Sequence, residues 1–305
     1  MSRDYMSEAA RAFLEQPAPD DLGPLGPDTV GAYRKMAKDE FLPRSERAVA
    51  GYGVTVAEVE IGGVPCLDIL PPGGEPIGTV LYCYGGGYVT GSAREDLIVS
   101  AGLCRHSGAR VVAVDYRLAP EHPYPAAIED GAAVYDVLCR EAGAFGIAGE
   151  SAGGNMALAL MQRASAEGLF MPVAAVLLSP WCDLAHGGDS VQANDGRDPT
   201  LDLAFVEAAA KMYAAETPRE APGVSPIGGA FGPEFPPTLV TTGTRDLLMS
   251  PSIEVTRRMR AAGVSVDLDV YDGLWHVFEF YDELPEAAES LSRCGAHLAR
   301  HMSGG

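Results

Sequence analysis

The chain has 305 residues, 47% of them hydrophobic, which is enough for a large core in one α/β domain carrying insertions. Its 42 acidic residues against 22 Lys and Arg give a net charge of −20, and a surface that acidic repels phosphate backbones and anionic lipid, which argues against nucleic acid as a partner. Six cysteines, Cys66, Cys83, Cys104, Cys139, Cys182 and Cys294, form no CxxC pair and no Cys/His cluster of zinc spacing, so the expectation is reduced thiols in a cytoplasm and no metal.

The first stretch, MSRDYMSEAARAFLEQ, carries acids early and has no apolar core of the kind a signal peptide needs; no apolar run along the chain is long enough to span a bilayer. Residues 1 to about 45 read as loosely amphipathic helix, with Ser7 as an N-cap, a turn-rich linker PAPDDLGPLGPD, and a second helix starting at Asp28. Near residue 50 the pattern changes. VTVAEVEI alternates, Gly62-Gly63 makes a hairpin turn, and VPCLDIL follows. Short apolar runs then come at 78–83, 110–115, 144–148, 173–179, 237–242 and 265–271. Helical patterns separate most of them, at 98–106, 125–140, 152–166, 250–262 and 284–301. Strands alternating with helices predict a mostly parallel sheet covered on both faces, with the hairpin adding antiparallel strands at one edge. The interval between 173–179 and 237–242 breaks this rhythm with a Gly/Asp loop, a helix and a Pro/Gly segment. So long an excursion in an α/β fold is usually functional. The expected organisation is a single domain, 1–305, with a helical cap made of about 1–45 and about 184–225.

The stretch AFGIAGESAGGNMALAL runs from an apolar strand through Gly149-Glu150-Ser151-Ala152-Gly153 directly into a helix. This is a GxSxG pattern in the strand–turn–helix context that exposes a nucleophile at the top of a sheet. The residues two before and two after the serine crowd each other, which selects glycine, and the helix N-terminus places partial positive charge beneath the hydroxyl. A serine hydroxyl needs a base, and the base needs an orienting acid, in the chain order Ser, Asp or Glu, His. Of the histidines, His106 and His122 precede the serine and His186 lies in the excursion. His297 and His301 sit one turn apart on the last helix, on a face read as solvated. His276, in VYDGLWHVFEF, follows the last strand and is the base. Asp246 lies just past the strand TLVTTG and is the acid. Asp272 and Glu279 are too close to His276 in sequence for an easy approach to its ring, and Asp183 is a further rival.

Three consecutive glycines, Gly85, Gly86 and Gly87, follow the strand TVLYC. Acyl transfer passes through a tetrahedral oxyanion, which main-chain N–H groups must approach closely and a Cβ would obstruct. Gly86 and Gly87, joined by Ala152 after the nucleophile, are the expected donors, with Tyr84 and Gly85 supporting the loop.

Together the triple glycine, DYRLAPEHPYPAA from Asp115, GESAGGN, SPWCDL, TGTRDLL and GLWHVF make the sequence resemble the bacterial hormone-sensitive-lipase-like carboxylesterases, over roughly residues 60 to 300. The resemblance implies an α/β-hydrolase fold, a Ser151–Asp246–His276 triad, a cap, and cleavage of short to medium acyl esters without a cofactor. Two positions depart from the family. Tyr84 stands where a loop-bracing His is usual, and Glu150 where Asp or Thr is usual, adding a methylene. The Asp, Arg and Glu of DYRLAPEHPYP are expected to form a buried ionic network under the site. Tyr88, Trp181, Leu248, Val277 and Phe278 flank the motifs and are expected to line the acyl pocket. The expected partner is a small-molecule ester. Lactone, amide or acyl-transfer chemistry on the same triad, or ligand binding without catalysis, are the alternatives, and the oligomeric state is open, a homodimer included.

Overall fold

Residues 5–16, 22–141 and 143–302 are described by the computed structural model. The first part of the expected linker, 17–21, and the chain end at 303–305 lie outside the described residues.

The alternation after residue 53 becomes a two-stranded hairpin, β1 (Thr55–Ile61) and β2 (Val64–Leu70), closed in register at Ile61 and Val64. Gly62 and Gly63 both take positive φ, 63° and 81°, which a two-residue hairpin turn of this hand requires. The apolar runs become β3 (Thr79–Cys83), β4 (Arg110–Val114), β5 (Phe145–Glu150), β6 (Ala175–Leu178), β7 (Thr238–Gly243) and β8 (Val266–Tyr271). All eight join one sheet in the order β1-β2-β4-β3-β5-β6-β7-β8. Neighbours from β4 to β8 are parallel, while β2 is antiparallel to both β1 and β4. Strands β3, β5, β6 and β7 are buried along their whole length. Burial on both faces is why each reads as an unbroken apolar run rather than an alternation.

The helices are α1 (Glu8–Leu14), α2 (Val30–Tyr52), α3 (Leu97–Ser107), α4 (Ala126–Glu141), α5 (Ala152–Glu167), α6 (Asp189–Ala193), α7 (Leu203–Ala214), α8 (Met249–Ala261) and α9 (Pro285–Met302). Helix α3 packs between α2 and α9, and α4 packs on α5. Both α5 and α9 contact β5; a Cβ on Gly146 would point at Leu298 of α9 and one on Gly149, three residues on and so on the other face of the strand, at Gly153 of α5. Among the described residues no helix is long and apolar enough to cross a membrane.

Three expectations need correction. The second N-terminal helix does not stop near 45; it continues through Pro43 to Tyr52 and ends at Gly53 in the left-handed conformation. Its extra turns are fixed to α3 by Ser45, whose hydroxyl donates to Glu95 O at 2.7 Å and accepts from Ile98 N at 3.1 Å. His297 is buried rather than solvated, because its Nε2 bonds the Pro237 carbonyl at 3.1 Å. The charges of DYRLAPEHPYP form no single buried network. Asp115, Arg117 and Glu121 are all exposed. Each goes its own way: Asp115 accepts from Ala93 N, Arg117 pairs with Asp130, and Glu121 pairs with Arg34 of α2.

Candidate active site

Ser151 sits between β5 and α5 at φ 49°, ψ −116°, a strained backbone for a residue with a Cβ. The turn is tight on both sides. A Cβ at Gly149 would overlap the Gly153 carbonyl, and one at Gly153 would overlap the Cys83 carbonyl at the end of β3. The two glycines are thus required for different reasons, the second because β3 runs past the elbow.

His276 lies on the loop after β8 and is 9% exposed. Its Nε2 is 3.0 Å from Ser151 Oγ and its Nδ1 is 3.0 Å from Asp246 Oδ1. Asp246 is fully buried after β7, where it also accepts from Leu248 N at 2.8 Å and Thr242 Oγ1 at 2.7 Å. Burial alone would raise its pKa, but the His276 charge, followed by hydrogen bonds from His276, Ser179 and Leu248 N, holds it below the ordinary carboxylate value. An ionised carboxylate only accepts, so Nδ1 of His276 carries the proton and Nε2 is left to accept from the serine hydroxyl. Burial likewise presses the His276 pKa down, yet the neighbouring carboxylates, Asp246 first, carry the net shift upward.

The rival acids are occupied elsewhere. Asp272 accepts from Thr244 Oγ1 at 3.3 Å. Glu279 is buried between Thr241 Oγ1 and Ser290 Oγ, and Asp183 closes a turn by accepting from Ala185 N and Gly187 N.

The glycine loop is built to turn its N–H groups outward. The Gly85 carbonyl accepts from Tyr116 OH at 3.2 Å, and the Gly86 carbonyl accepts from Val89 N, Thr90 N and Thr90 Oγ1 at 2.9–3.1 Å. In a trans peptide the N–H points opposite its C=O. The N–H groups of Gly86 and Gly87 therefore face away from these anchors. Gly86 and Gly87 have φ of 90° and 63°. Gly85 is required for another reason: a Cβ there would overlap the Glu150 carboxylate. That carboxylate is buried, and burial pushes its pKa up to about 7 against the pull of His276 and the Gly85 N–H.

Tyr84 does not itself brace the glycines. Its phenol donates to Tyr116 O at 3.3 Å, and the brace comes from Tyr116, whose hydroxyl reaches both the Tyr84 and Gly85 carbonyls. The five expected pocket residues are all buried. Three of them have other partners: Trp181 stacks on His186 with centroids 5.9 Å apart and its indole N–H donates to His186 Nε2 at 3.3 Å. Tyr88 stacks on Tyr213 at 3.8 Å and donates to Asn155, and Phe278 joins a cluster with Trp275, Tyr281 and α1. The side chains facing Gly87 come instead from α7: a Cβ there would lie 3.1 Å from Ala209 and 3.3 Å from Phe205. Sequence reasoning missed Tyr116, Phe205 and Asp198, which act through main-chain contacts or across long sequence separations. Among the described residues no group of His, Cys, Asp or Glu is placed to hold a metal ion.

An eight-stranded, mostly parallel sheet with a serine at the turn between a central strand and its helix is the architecture of an α/β hydrolase. The family model described as alpha/beta hydrolase fold matches residues 80–280. The chain belongs to this family, among its bacterial hormone-sensitive-lipase-like carboxylesterases. It is 33% identical over 269 residues to an acetyl-hydrolase of Streptomyces hygroscopicus, covering 87% of this chain and 88% of that one. It is 31% identical to an ethyl acetate hydrolase of Pseudomonas putida, covering 76% and 77%. The crystal structure of a hormone-sensitive lipase from a metagenome library has a TM-score of 0.88 to it at 31% identity, over 98% of this chain and 100% of that one.

Proposed function

We propose that the chain is a serine carboxylesterase in which Ser151, His276 and Asp246 are the catalytic triad. The observation that carries this reading is the unbroken hydrogen-bond chain from Asp246 through His276 to Ser151, 3.0 Å at each link. Ser151 Oγ attacks the ester carbonyl as His276 Nε2 takes its proton, and Asp246 holds the imidazole tautomer and stabilises the imidazolium. The N–H groups of Gly86, Gly87 and Ala152 receive the oxyanion. The alcohol leaves with the proton from His276, and water, activated by the same imidazole, releases the acid.

Short acyl groups suit the site best. Helix α7 sets Phe205 and Ala209 against Gly87, and Ser151 and His276 are each less than a tenth exposed. The relatives named for acetyl and ethyl acetate hydrolysis point the same way. The segments about 1–45 and about 184–225 form the cap on this reading, supported by the approach of Tyr33 in α2 to Phe205 in α7, with ring centroids 6.0 Å apart. Trp181, Leu248 and Val277 line the acyl side. All six cysteines are free, which supports a cytoplasmic setting. A homodimer is the assembly to test by sedimentation.

The test is turnover of p-nitrophenyl acetate and butyrate by Ser151→Ala, with fluorophosphonate labelling of the unaltered protein. Loss of turnover in a folded variant, with labelling of the parent at Ser151, is the expected result; retained turnover refutes the mechanism.

A further inference from the structure

Asp198 lies in the excursion between β6 and β7, far in sequence from either catalytic loop, yet it is buried against both of them. Its Oδ2 accepts from His276 N at 3.1 Å and from Leu247 N, the residue after Asp246, also at 3.1 Å. Its Oδ1 accepts from Thr200 N and Thr200 Oγ1, both at 3.0 Å, and from Leu201 N at 3.2 Å, closing the turn that leads into α7. The same excursion also holds the acid loop by its carbonyls. Asn194 Nδ2 donates to Thr244 O at 3.2 Å and Asp246 O at 2.9 Å, and Ser190 Oγ donates to Leu247 O at 2.8 Å.

Resting on the triad reading above, we infer that Asp198 is a positioning residue: one carboxylate oxygen fixes the acid loop relative to the base loop, and so sets the His276–Asp246 and His276–Ser151 distances. A carboxylate is suited to this because it presents several acceptor lone pairs and no donor to a ring of N–H groups. Those N–H groups also sustain its charge where it faces another anion. Burial first, then Asp246, pushes the Asp198 pKa up to about 6, and His276 and the turn N–H groups oppose this. The groups facing Asp198 are Asp246, His276 and the Tyr281 phenol; those facing the His276 ring are Asp246, Asp198 and Glu150. As an anion beside His276, Asp198 raises the pH needed to deprotonate the imidazole.

The experiment compares Asp198→Asn and Asp198→Ala with the parent, measuring kcat, KM and the pH profile of kcat/KM on p-nitrophenyl acetate, with Ser151→Ala alongside. Misplaced catalytic groups act on kcat, so kcat is expected to fall about tenfold in Asp198→Asn, which keeps one acceptor, and about a hundredfold in Asp198→Ala, with KM nearly unchanged. In both, the acid limb of kcat/KM moves to lower pH. A role confined to fold stability would lower Tm and leave kcat and the acid limb of the folded variant where they were, and that result overturns the inference. Asp198→Ser, which keeps a small acceptor, replaces any variant that does not fold and is judged by the same outcomes. An active Ser151→Ala would fail the triad reading itself; an inactive Ser151→Ala beside an unchanged Asp198→Asn would fail only the role of Asp198.

Discussion

Tyr116 and Tyr84 clasp each other's backbones. The Tyr116 hydroxyl donates to Tyr84 O at 2.7 Å, the Tyr84 hydroxyl donates to Tyr116 O at 3.3 Å, and the rings stack with centroids 4.1 Å apart. The two bonds are unequal, and only the Tyr116 hydroxyl also reaches Gly85 O. Tyr116→Phe would leave buried carbonyls without a donor, which costs about 1–3 kcal/mol. It should lower both stability in urea and kcat. Tyr84→Phe keeps the stacked ring and loses only the longer bond, so it should be close to the parent in both. A larger defect in Tyr84→Phe than in Tyr116→Phe would reverse the roles given to the two rings.

The glycines of the site should differ in what alanine does to them. Gly153→Ala drives a Cβ into the Cys83 carbonyl and Gly85→Ala drives one into the Glu150 carboxylate. Soluble folded protein is not expected from the first, and activity is not expected from the second. Gly87→Ala meets side chains rather than backbone: Ala209 at 3.1 Å, Phe205 at 3.3 Å and Val89 at 3.7 Å. It should fold, at a cost of about 1–3 kcal/mol for a non-glycine residue at positive φ. Expression, melting temperature and kcat of the three variants give the ranking.

Activity and stability should respond to pH in opposite senses. On the proposed mechanism catalysis needs neutral His276, whose pKa is raised from 6.5, so kcat/KM should fall on the acid side with a midpoint above 6.5. For stability the sign runs the other way. Glu150 has a folded pKa of about 7 against an ordinary 4.5. A raised carboxyl favours the fold while it holds its proton. Its contribution is therefore full below 4.5 and is lost as pH rises through about 7. Raised His276 contributes in the same direction, lost as pH climbs through its folded value. Urea unfolding of the parent and Glu150→Gln across this window should show a steeper loss with rising pH in the parent. Parallel curves would remove Glu150 from the account.

Phe13 of α1 stacks on Trp275 at 4.4 Å and meets Tyr281 edge-on at 4.5 Å. Trp275 is the residue before His276. Phe13→Ala should therefore cost stability, by about 1–3 kcal/mol for a half-buried aromatic, below the range for one in a closed core. It should also lower kcat by loosening the base loop. Unchanged kcat in the folded variant would confine α1 to a stability role.

What the sequence disclosed follows from how each residue acts. Strands β3, β5, β6 and β7 were legible because burial on both faces leaves only apolar residues. The meeting of Ser151, His276 and Asp246 was legible because a serine at such an elbow calls for an acid and a base at later strand ends in a fixed chain order. Tyr116 and Asp198 were not, because a side chain bonding to main chain leaves no mark on the partner: any residue type can offer the N–H at 247 or the carbonyl at 84. The turns of α2 past residue 45 were not legible, because the Ser45 link to α3 that holds them joins residues about fifty positions apart. Glu150 looked like a lengthened aspartate, and its burial beside Gly85 emerges only where β5 and the glycine loop meet.

Ser190, Asn194 and Asp198 grip the loop bearing Asp246 by its carbonyls and amides, within the same excursion that carries Phe205 to Gly87. On the proposed reading, substrate preference and reactivity are both written into one stretch of chain. A protein engineer who transplants this insertion from a relative to retune selectivity must graft 190–198 as an intact cassette with its receiving loops, or the chimera will bind the new ester and turn it over poorly.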